Sequence, residues 1–422
     1  MTVRSLAAAD SGIQAAQTQL DVIGNNIANV DTDGYKQTTA EFSDLLNQQL
    51  TPAGAPVPGL ASTNPSAVGS GVAVSQIATN FGEGAIIQTG VPTDVAIEGN
   101  GFFVVSTAGQ VSYTRAGNFH LDANGTLATA DGGEVQGWMA QPGGAINTTA
   151  PTTALSIDLG GTVAPVPTGT VALGGNIPAG STSPVTTTFS AYDQLGNPVP
   201  VTLTFTPPTG GGTAWTLQGT VPKAGGGTTD LWATPPTVTF GANGQVSAVS
   251  GSTGSATTGF TLPVGTSPTG VPLSFTFPPA GTSGAVTQIA GTQTIAYSTQ
   301  NGSPGGTLES WSVGPSGLIT GTFSDGRSSS LGQIALAGFN NPGGLVSTGN
   351  LSYQASASSG QAQVGPAGTG TVGTLEGGAL EQSNVNLAGE LTDLVSAQTA
   401  YQADTKVVST TDQVLQSLVN MP

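Results

Sequence analysis

Two heptad seams, one at each end of the chain, constrain this sequence more than anything between them. From the amino end, Leu6, Ala9, Ile13, Ala16, Leu20, Ile23, Ile27 and Val30 follow at alternating steps of three and four residues. That spacing keeps one stripe of an α-helix facing a partner, and it holds here for more than three heptads. It predicts a helix of about 25 residues, roughly 37 Å long. The helix should stop near Asn29, because the turn formers Asp31, Asp33 and Gly34 follow. At the other end Leu387, Leu394, Tyr401, Val408 and Leu415 lie seven apart. Leu391 and Val419 are read on the second seam position, which Gln398, Thr405 and Asp412 make otherwise polar. Ser383 or Asn386 supplies the N-cap. Taken singly, each seam also fits an ordinary core-facing helix. Two seams at opposite termini, each marginal alone, favour pairing with each other.

Between the seams the pattern changes to strands. Residues 51–70 are rich in Pro, Gly, Ala and Ser and read as a linker. From Gly71 onward short alternating runs begin. One flanks a Gly99-Asn100-Gly101 turn, and another turns at Asn124-Gly125. Residues 147–290 form a different block, dense in Thr, Gly, Pro and Val, whose only charges are Asp158, Asp193, Lys223 and Asp230. It reads as a β domain inserted in the first, with a hairpin turning at Leu195-Gly196-Asn197. The expected fold is therefore α+β and multidomain. Long N- and C-terminal helices pair as a coiled-coil-like domain, with two β-rich domains between them, the second inserted in the first. The expected boundaries are 1–30 for the first helix and 31–70 for an extended linker. An inner β domain is split into 71–146 and 291–360, and an outer one spans 147–290. A second linker takes 361–382 and the last helix 383–422.

Composition removes several functions. The chain has 422 residues, a formal charge of −17 and six scattered cations: Arg4, Lys36, Arg115, Lys223, Arg327 and Lys406. No basic patch exists to grip nucleic-acid phosphates or an anionic membrane surface. There is no cysteine, so disulfides, thiolate metal sites and cysteine nucleophiles are excluded. No apolar run is long enough to span a bilayer. Asp10, Gln14, Gln17 and Asp21 interrupt any Sec-type leader.

The chemical motifs are weak. His120 is the sole histidine and sits in a strand-like run, without the partners that a triad or metal site needs. Asp122-Ala-Asn124-Gly125 and Asp31-Thr-Asp33-Gly34 begin like calcium loops but place Gly too early, and a β-turn accounts for both. Gly99-Asn100-Gly101 lacks the Lys and the helix of a phosphate loop. Carboxylate pairing for glycoside hydrolysis is not readable from spacing, but acids and aromatics are sparse in the β domains. No catalytic residue, cofactor or metal is expected.

The segment LDVIGNNIANVDTDGYK, from Leu20 to Lys36, resembles the signature of the bacterial flagellar axial proteins, the rod, hook and hook-associated family. Its core is Asn25, Asn26, Ile27, Ala28 and Asn29, followed by Thr32, Gly34, Tyr35 and Lys36. The runs from Thr93 to Val105, Tyr113 to Leu127 and Leu375 to Asn420 resemble the same family in order. The insert implies a hook-type member, with a distal-rod type as the neighbouring reading and a secreted β-rich adhesin as a distant one. The resemblance implies a non-enzymatic subunit of a helical homopolymer, exported without a Sec leader to the flagellar hook and basal body. Its implied partners are further copies of itself, the rod, the hook cap, the hook–filament junction proteins and the export apparatus. Assembly would run through the seam residues Leu6, Ile13, Leu20, Ile23, Ile27, Leu387, Leu391, Leu394, Tyr401, Val408 and Leu415. Two departures stand out: Thr399 replaces a usual Arg, and Asn386 a frequent Asp.

Overall fold

The computed structural model describes residues 2–51, 64–141, 144–210, 212–223, 226–264 and 272–420. The chain divides into two compact units. The first comprises residues 1–158, 311–321 and 329–422, and the second 159–310 and 322–328.

In the first unit, α1 (Thr2–Ala28) and α2 (Leu387–Val419) pack side by side. Gly12 lies against the Asp404 carboxylate, and Asn26 meets Glu390, so the pair is antiparallel. On α1 the small residues Ala9, Ala15 and Ala16 and the larger Ile23 are buried, while Leu6, Ile13, Leu20 and Ile27 are half-buried. Small side chains let the helices approach closely. A Cβ on Gly12 would displace the Asp404 carboxylate.

The seam of α2 differs from the sequence reading. Leu394, Tyr401, Val408 and Leu415 are half-buried, but the companion position is Glu390, Ala397, Asp404 and Thr411. Leu391 is 47% exposed and Leu387 43% exposed. The reason is steric and polar. The stripe three residues on, not four, offers Ala397 and Thr411 as small fillers and Asp404 beside Gly12. Val395, Val407, Val414 and Val419 are exposed too, so α2 carries apolar side chains on both flanks of its packed stripe.

The expected linker 31–70 is in part a ribbon. Strands β1 (Thr38–Asp44) and β4 (Val72–Thr79) pair antiparallel from Thr38↔Thr79 to Asp44↔Val72. Beyond them β2 (Gln48–Thr51) pairs with β3 (Ser66–Val68). Proline and glycine masked an alternation that the flanks do contain, and residues 52–63 lie outside the described residues. The ribbon's base is pinned to α1, where the Val72 N–H donates to Ser11 Oγ at 3.2 Å.

The rest of the unit is an antiparallel sheet built on Phe102–Thr107, Gln110–Thr114, Glu134–Met139 and Ser328–Gly338. Its core gathers Phe102, Val104, Tyr113, Trp138, Ala335, Ala337 and Tyr353. Residues 147–158, expected in the insert, stay here because the Leu155 N–H donates to Val135 O and the Leu155 carbonyl accepts from Leu127 N–H, with Leu155 and Ile157 buried. The Asp122 turn is a plain turn. Asp122 Oδ1 accepts the N–H groups of Thr126 and Asn124, and these bonds hold the carboxyl below its ordinary range.

The second unit holds two sheets over one core that includes Phe205, Trp215, Phe275 and Phe277. Val185–Tyr192 pairs with Pro198–Thr206 about the expected turn, with Gly196 at φ +82°. Residues 291–310 belong to this unit, not the inner one, because Ala296–Gln300 pairs with Thr170–Asn176.

Substituting Gly12→Leu should cost about 1–3 kcal/mol of helix-pair stability, since an overpacked contact must open. Gly24→Ala, where nothing lies within 4 Å of an added Cβ, should stabilise by up to about 1 kcal/mol. Urea melts followed by far-UV circular dichroism would separate them; equal effects would contradict the close approach at Gly12.

Candidate functional site

Both ends of the chain meet the inner sheet at one buried polar junction. It begins at the last turn of α1. Asn26 is 1% exposed, and every polar atom of its amide is used. Its Nδ2 donates to Thr38 O at 2.8 Å and Glu390 Oε1 at 3.0 Å. Its Oδ1 accepts from the Thr38 N–H at 3.0 Å and the Tyr35 hydroxyl at 3.1 Å. The Tyr35 hydroxyl also reaches Asn25 Oδ1 at 2.7 Å. One amide thus ties the end of α1 to the start of β1 and the first turn of α2. Such a fully satisfied network fixes one geometry where a partly satisfied one would be costly.

The start of α2 is prepared to receive it. Asn386 is the N-cap: its Oδ1 accepts the N–H groups of Ala388 at 3.1 Å and Gly389 at 3.2 Å. Glu390 is buried, with no cation against it among the described residues. It relies on Asn26, on Gln37 Nε2 at 2.7 Å, and on the positive end of the helix dipole. The Gln37 N–H donates to Asn384 Oδ1 at 2.8 Å.

Below this knot lies an ionic one. Lys36 Nζ contacts Glu381 Oε1 at 2.5 Å and Gly82 O at 2.9 Å. Arg115 Nη1 sits 3.4 Å from Glu381 Oε2, and its guanidinium lies 5.5 Å from the Phe102 ring centroid. All three side chains are at most 2% exposed. Two cations therefore share one buried carboxylate. Burial pulls the Lys36 ammonium below its ordinary value, with Glu381 opposing, and does the same to Arg115. Gly34 closes the corner at φ +75°; its N–H donates to Glu381 O at 2.7 Å, and a Cβ there would lie 2.7 Å from the Ala116 backbone. Only glycine fits.

Four family models match in chain order. "Flagella basal body rod protein" covers residues 6–36, and "Flagellar hook protein FlgE/F/G D1 domain" covers 96–164. "Flagellar basal body protein FlaE D2 domain" covers 165–303, and "Flagellar basal body rod FlgEFG protein C-terminal" covers 376–421. The flagellar hook protein FlgE of Treponema pallidum is 36% identical over 460 residues, spanning 99% of each chain. The chain belongs to the flagellar hook protein FlgE family. The Escherichia coli FlgE is 35% identical, over 97% of this chain and 98% of its own. A crystal structure of Helicobacter pylori flagellar hook protein FlgE2 shares the fold at a TM-score of 0.51 and 14% identity, covering 69% of this chain and 99% of that one.

The family signature thus divides by role. Asn25, Asn26, Gly34, Tyr35 and Lys36 build the junction. Asn29 and Thr32 bond locally, Asn29 Nδ2 to Asn25 O at 2.9 Å and Thr32 Oγ1 to Asn29 Oδ1 at 3.3 Å. Ile27 is half-buried on the helix pair, and Ala28 is exposed. Sequence reasoning missed Gln37, Arg115, Glu381, Asn384 and Glu390. One signal was available: two of only six cations, Lys36 and Arg115, flank family motifs in a chain that otherwise avoids positive charge. His120 is exposed opposite Ala128 and takes no part.

Glu381→Gln strands two buried cations and should cost about 3–5 kcal/mol. Lys36→Met leaves Arg115 and Glu381 as a neutral pair and should cost less; the reverse order in urea melts would overturn the shared-carboxylate reading. Burial pushes the Tyr353 phenol up to about 12. The unfolded phenol ionises near pH 10, so the folded chain keeps a proton that the unfolded chain loses as pH rises from there. Stability should fall by about 2–3 kcal/mol between pH 10 and about 12. Tyr353→Phe should flatten that loss in melts across the range.

Proposed function

We propose that this chain is a structural subunit of the bacterial flagellar hook, polymerising into a tubular joint that passes torque from rod to filament. The observation that supports it best is the apolar surface that α2 leaves uncovered. Leu391 and Val395 are exposed on one flank of the stripe that packs on α1, and Val407 and Val414 on the other. A helix apolar beyond its packed stripe gains by burying those flanks against a further partner. When that partner is another copy and the contact joins unlike surfaces, assembly does not close and an open helical tube grows. The junction makes this workable, because Asn26 and Glu390 hold the helix pair at a set angle to the inner sheet.

On this reading the chain works without catalysis or cofactor. It reaches the flagellum through the export apparatus, and meets the rod, the hook cap and the hook–filament junction proteins. It neither binds nucleic acid nor enters a membrane; no described helix is long and apolar enough to cross one. The second unit turns uncharged hydroxyls outward from one sheet, among them Thr186, Thr188, Thr206 and Thr216. Such a surface suits weak, non-directional contacts that slide as a tube bends.

Deleting the gene should leave basal bodies without hooks or filaments under electron microscopy. Complementation with Leu391→Lys/Val395→Lys should fail to restore hooks, although exposed substitutions shift monomer stability by only about 0.5 kcal/mol each. Hooks of normal length in that strain would defeat the assembly face.

A further inference from the structure

The Gly99-Asn100-Gly101 turn, which has no part in the junction, joins the strand Val95–Glu98 to the strand Phe102–Thr107. It holds one of seven places where Asn or Asp stands directly before Gly: Asn100, Asn124, Asn243 and Asn301, and Asp33, Asp131 and Asp325. That dipeptide has a chemistry of its own. Glycine has no side chain to shield its backbone nitrogen, so the nitrogen can reach the carbonyl carbon of the preceding side chain and close a succinimide ring.

In five of the seven places the fold withholds the nitrogen. The N–H groups of Gly34, Gly125, Gly132, Gly244 and Gly326 donate to the carbonyls of Glu381, Asp122, Thr129, Gly241 and Phe323 at 2.7–3.0 Å. Gly101 and Gly302 remain. At Asn301 the other reactant is held instead. Its Oδ1 accepts the N–H groups of Gly169 at 3.0 Å and Thr170 at 2.9 Å, which ties the side chain to the adjoining strand. Asn100 is held at neither end. It is exposed, and its side chain bonds to no described residue. The Gly101 N–H, in a residue otherwise buried, donates to none either. Gly99 and Gly101 stand at φ +94° and +129°, so no Cβ crowds the approach from either neighbour.

We infer that Asn100 is a site of spontaneous covalent modification, converting to aspartate and isoaspartate with loss of ammonia. Hydroxide takes the Gly101 amide proton, and the nitrogen bonds to Asn100 Cγ. The Cγ–Nδ2 bond breaks, and ammonia leaves with a proton from water. Water then opens the succinimide. Attack at Cγ leaves aspartate; attack at the main-chain carbonyl leaves isoaspartate, with the chain rerouted through the side chain. Water is consumed and ammonia released, and nothing is oxidised or reduced. Either product places a negative charge near Glu98. Isoaspartate also lengthens the main chain in a turn with little room. The Asn100 carbonyl accepts the Gly373 N–H at 2.6 Å, and a Cβ on Gly373 would collide with the Glu98 carbonyl. The mark therefore falls beside Thr374–Gly377, the strand that pairs with Val95–Glu98 just ahead of Glu381.

Purified chain held at mildly alkaline pH tests this, with peptide mass spectrometry reading the Asp-for-Asn mass change and isoaspartyl methyltransferase labelling reading isoaspartate. A hydrogen bond that must break before attack slows the reaction by up to about tenfold, so in the folded chain Asn124, Asn243 and Asn301 should lag Asn100 by about that factor. In guanidinium strong enough to unfold the chain, the four rates should converge. The rate at Asn100 should rise with pH, because hydroxide generates the nucleophile. Asn100→Gln, which would have to close a larger ring, should remove the signal at that position and leave the other three rates unchanged. A folded chain in which Asn100 reacts no faster than the other three would overturn the assignment. So would a folded Asn100 still intact when the unfolded chain has fully converted.

Discussion

The shared carboxylate of Glu381 is the contact on which the rest of the first unit depends. Lys36 comes from the segment after α1, Arg115 from the inner sheet, and Glu381 from the strand before α2. In a low-dielectric interior, two cations without their anion would repel strongly. A buried ionic group of this kind adds little net stability compared with a well-packed apolar trio. What it adds is a single permitted arrangement. The three segments come together in one register, and the Asn26 amide above them then has one set of partners.

That arrangement joins two kinds of packing that would otherwise have no reason to meet. The helix pair is held by small residues and partial burial, and would be marginal alone. The sheet has a dense aromatic core, with Phe81, Phe102 and Tyr353 in edge-to-face contacts at 5.3–6.0 Å. Between them the polar junction transmits orientation. An apolar joint of the same size would tolerate several angles. A hydrogen-bonded one, with Gly34 pressed on the Ala116 backbone, does not.

Much of this was legible before any coordinates. Helix period and turn chemistry placed α1 and its end within a residue of Asn29, and the Asn124-Gly125 and Leu195-Gly196-Asn197 turns formed where their residues require them. The failures have physical causes. Leu391 is apolar, as a heptad seam requires, whereas the real contact favours the small Ala397 and the hydrogen-bonded Glu390. The ribbon at 38–79 was hidden by a Pro- and Gly-rich middle. Residues 147–158 and 291–310 changed sides because backbone pairing, which composition does not record, decides which sheet a strand joins. The junction was half visible: its N-terminal members form one contiguous motif, while Glu381 and Glu390 lie some 345 and 364 residues from the partners they bind.

Those separations bear on the order in which the molecule can take shape. Asp404 meets Gly12 across nearly the whole length of the chain, so the helix pair is among its most non-local contacts. Closing so long a loop is entropically unfavourable until the intervening β units have already folded and shortened it. The pair must therefore dock last. The surface that the helix pair presents is complete only once residues from both ends of the chain have met. Topology alone thus places the completion of that surface at the end of folding.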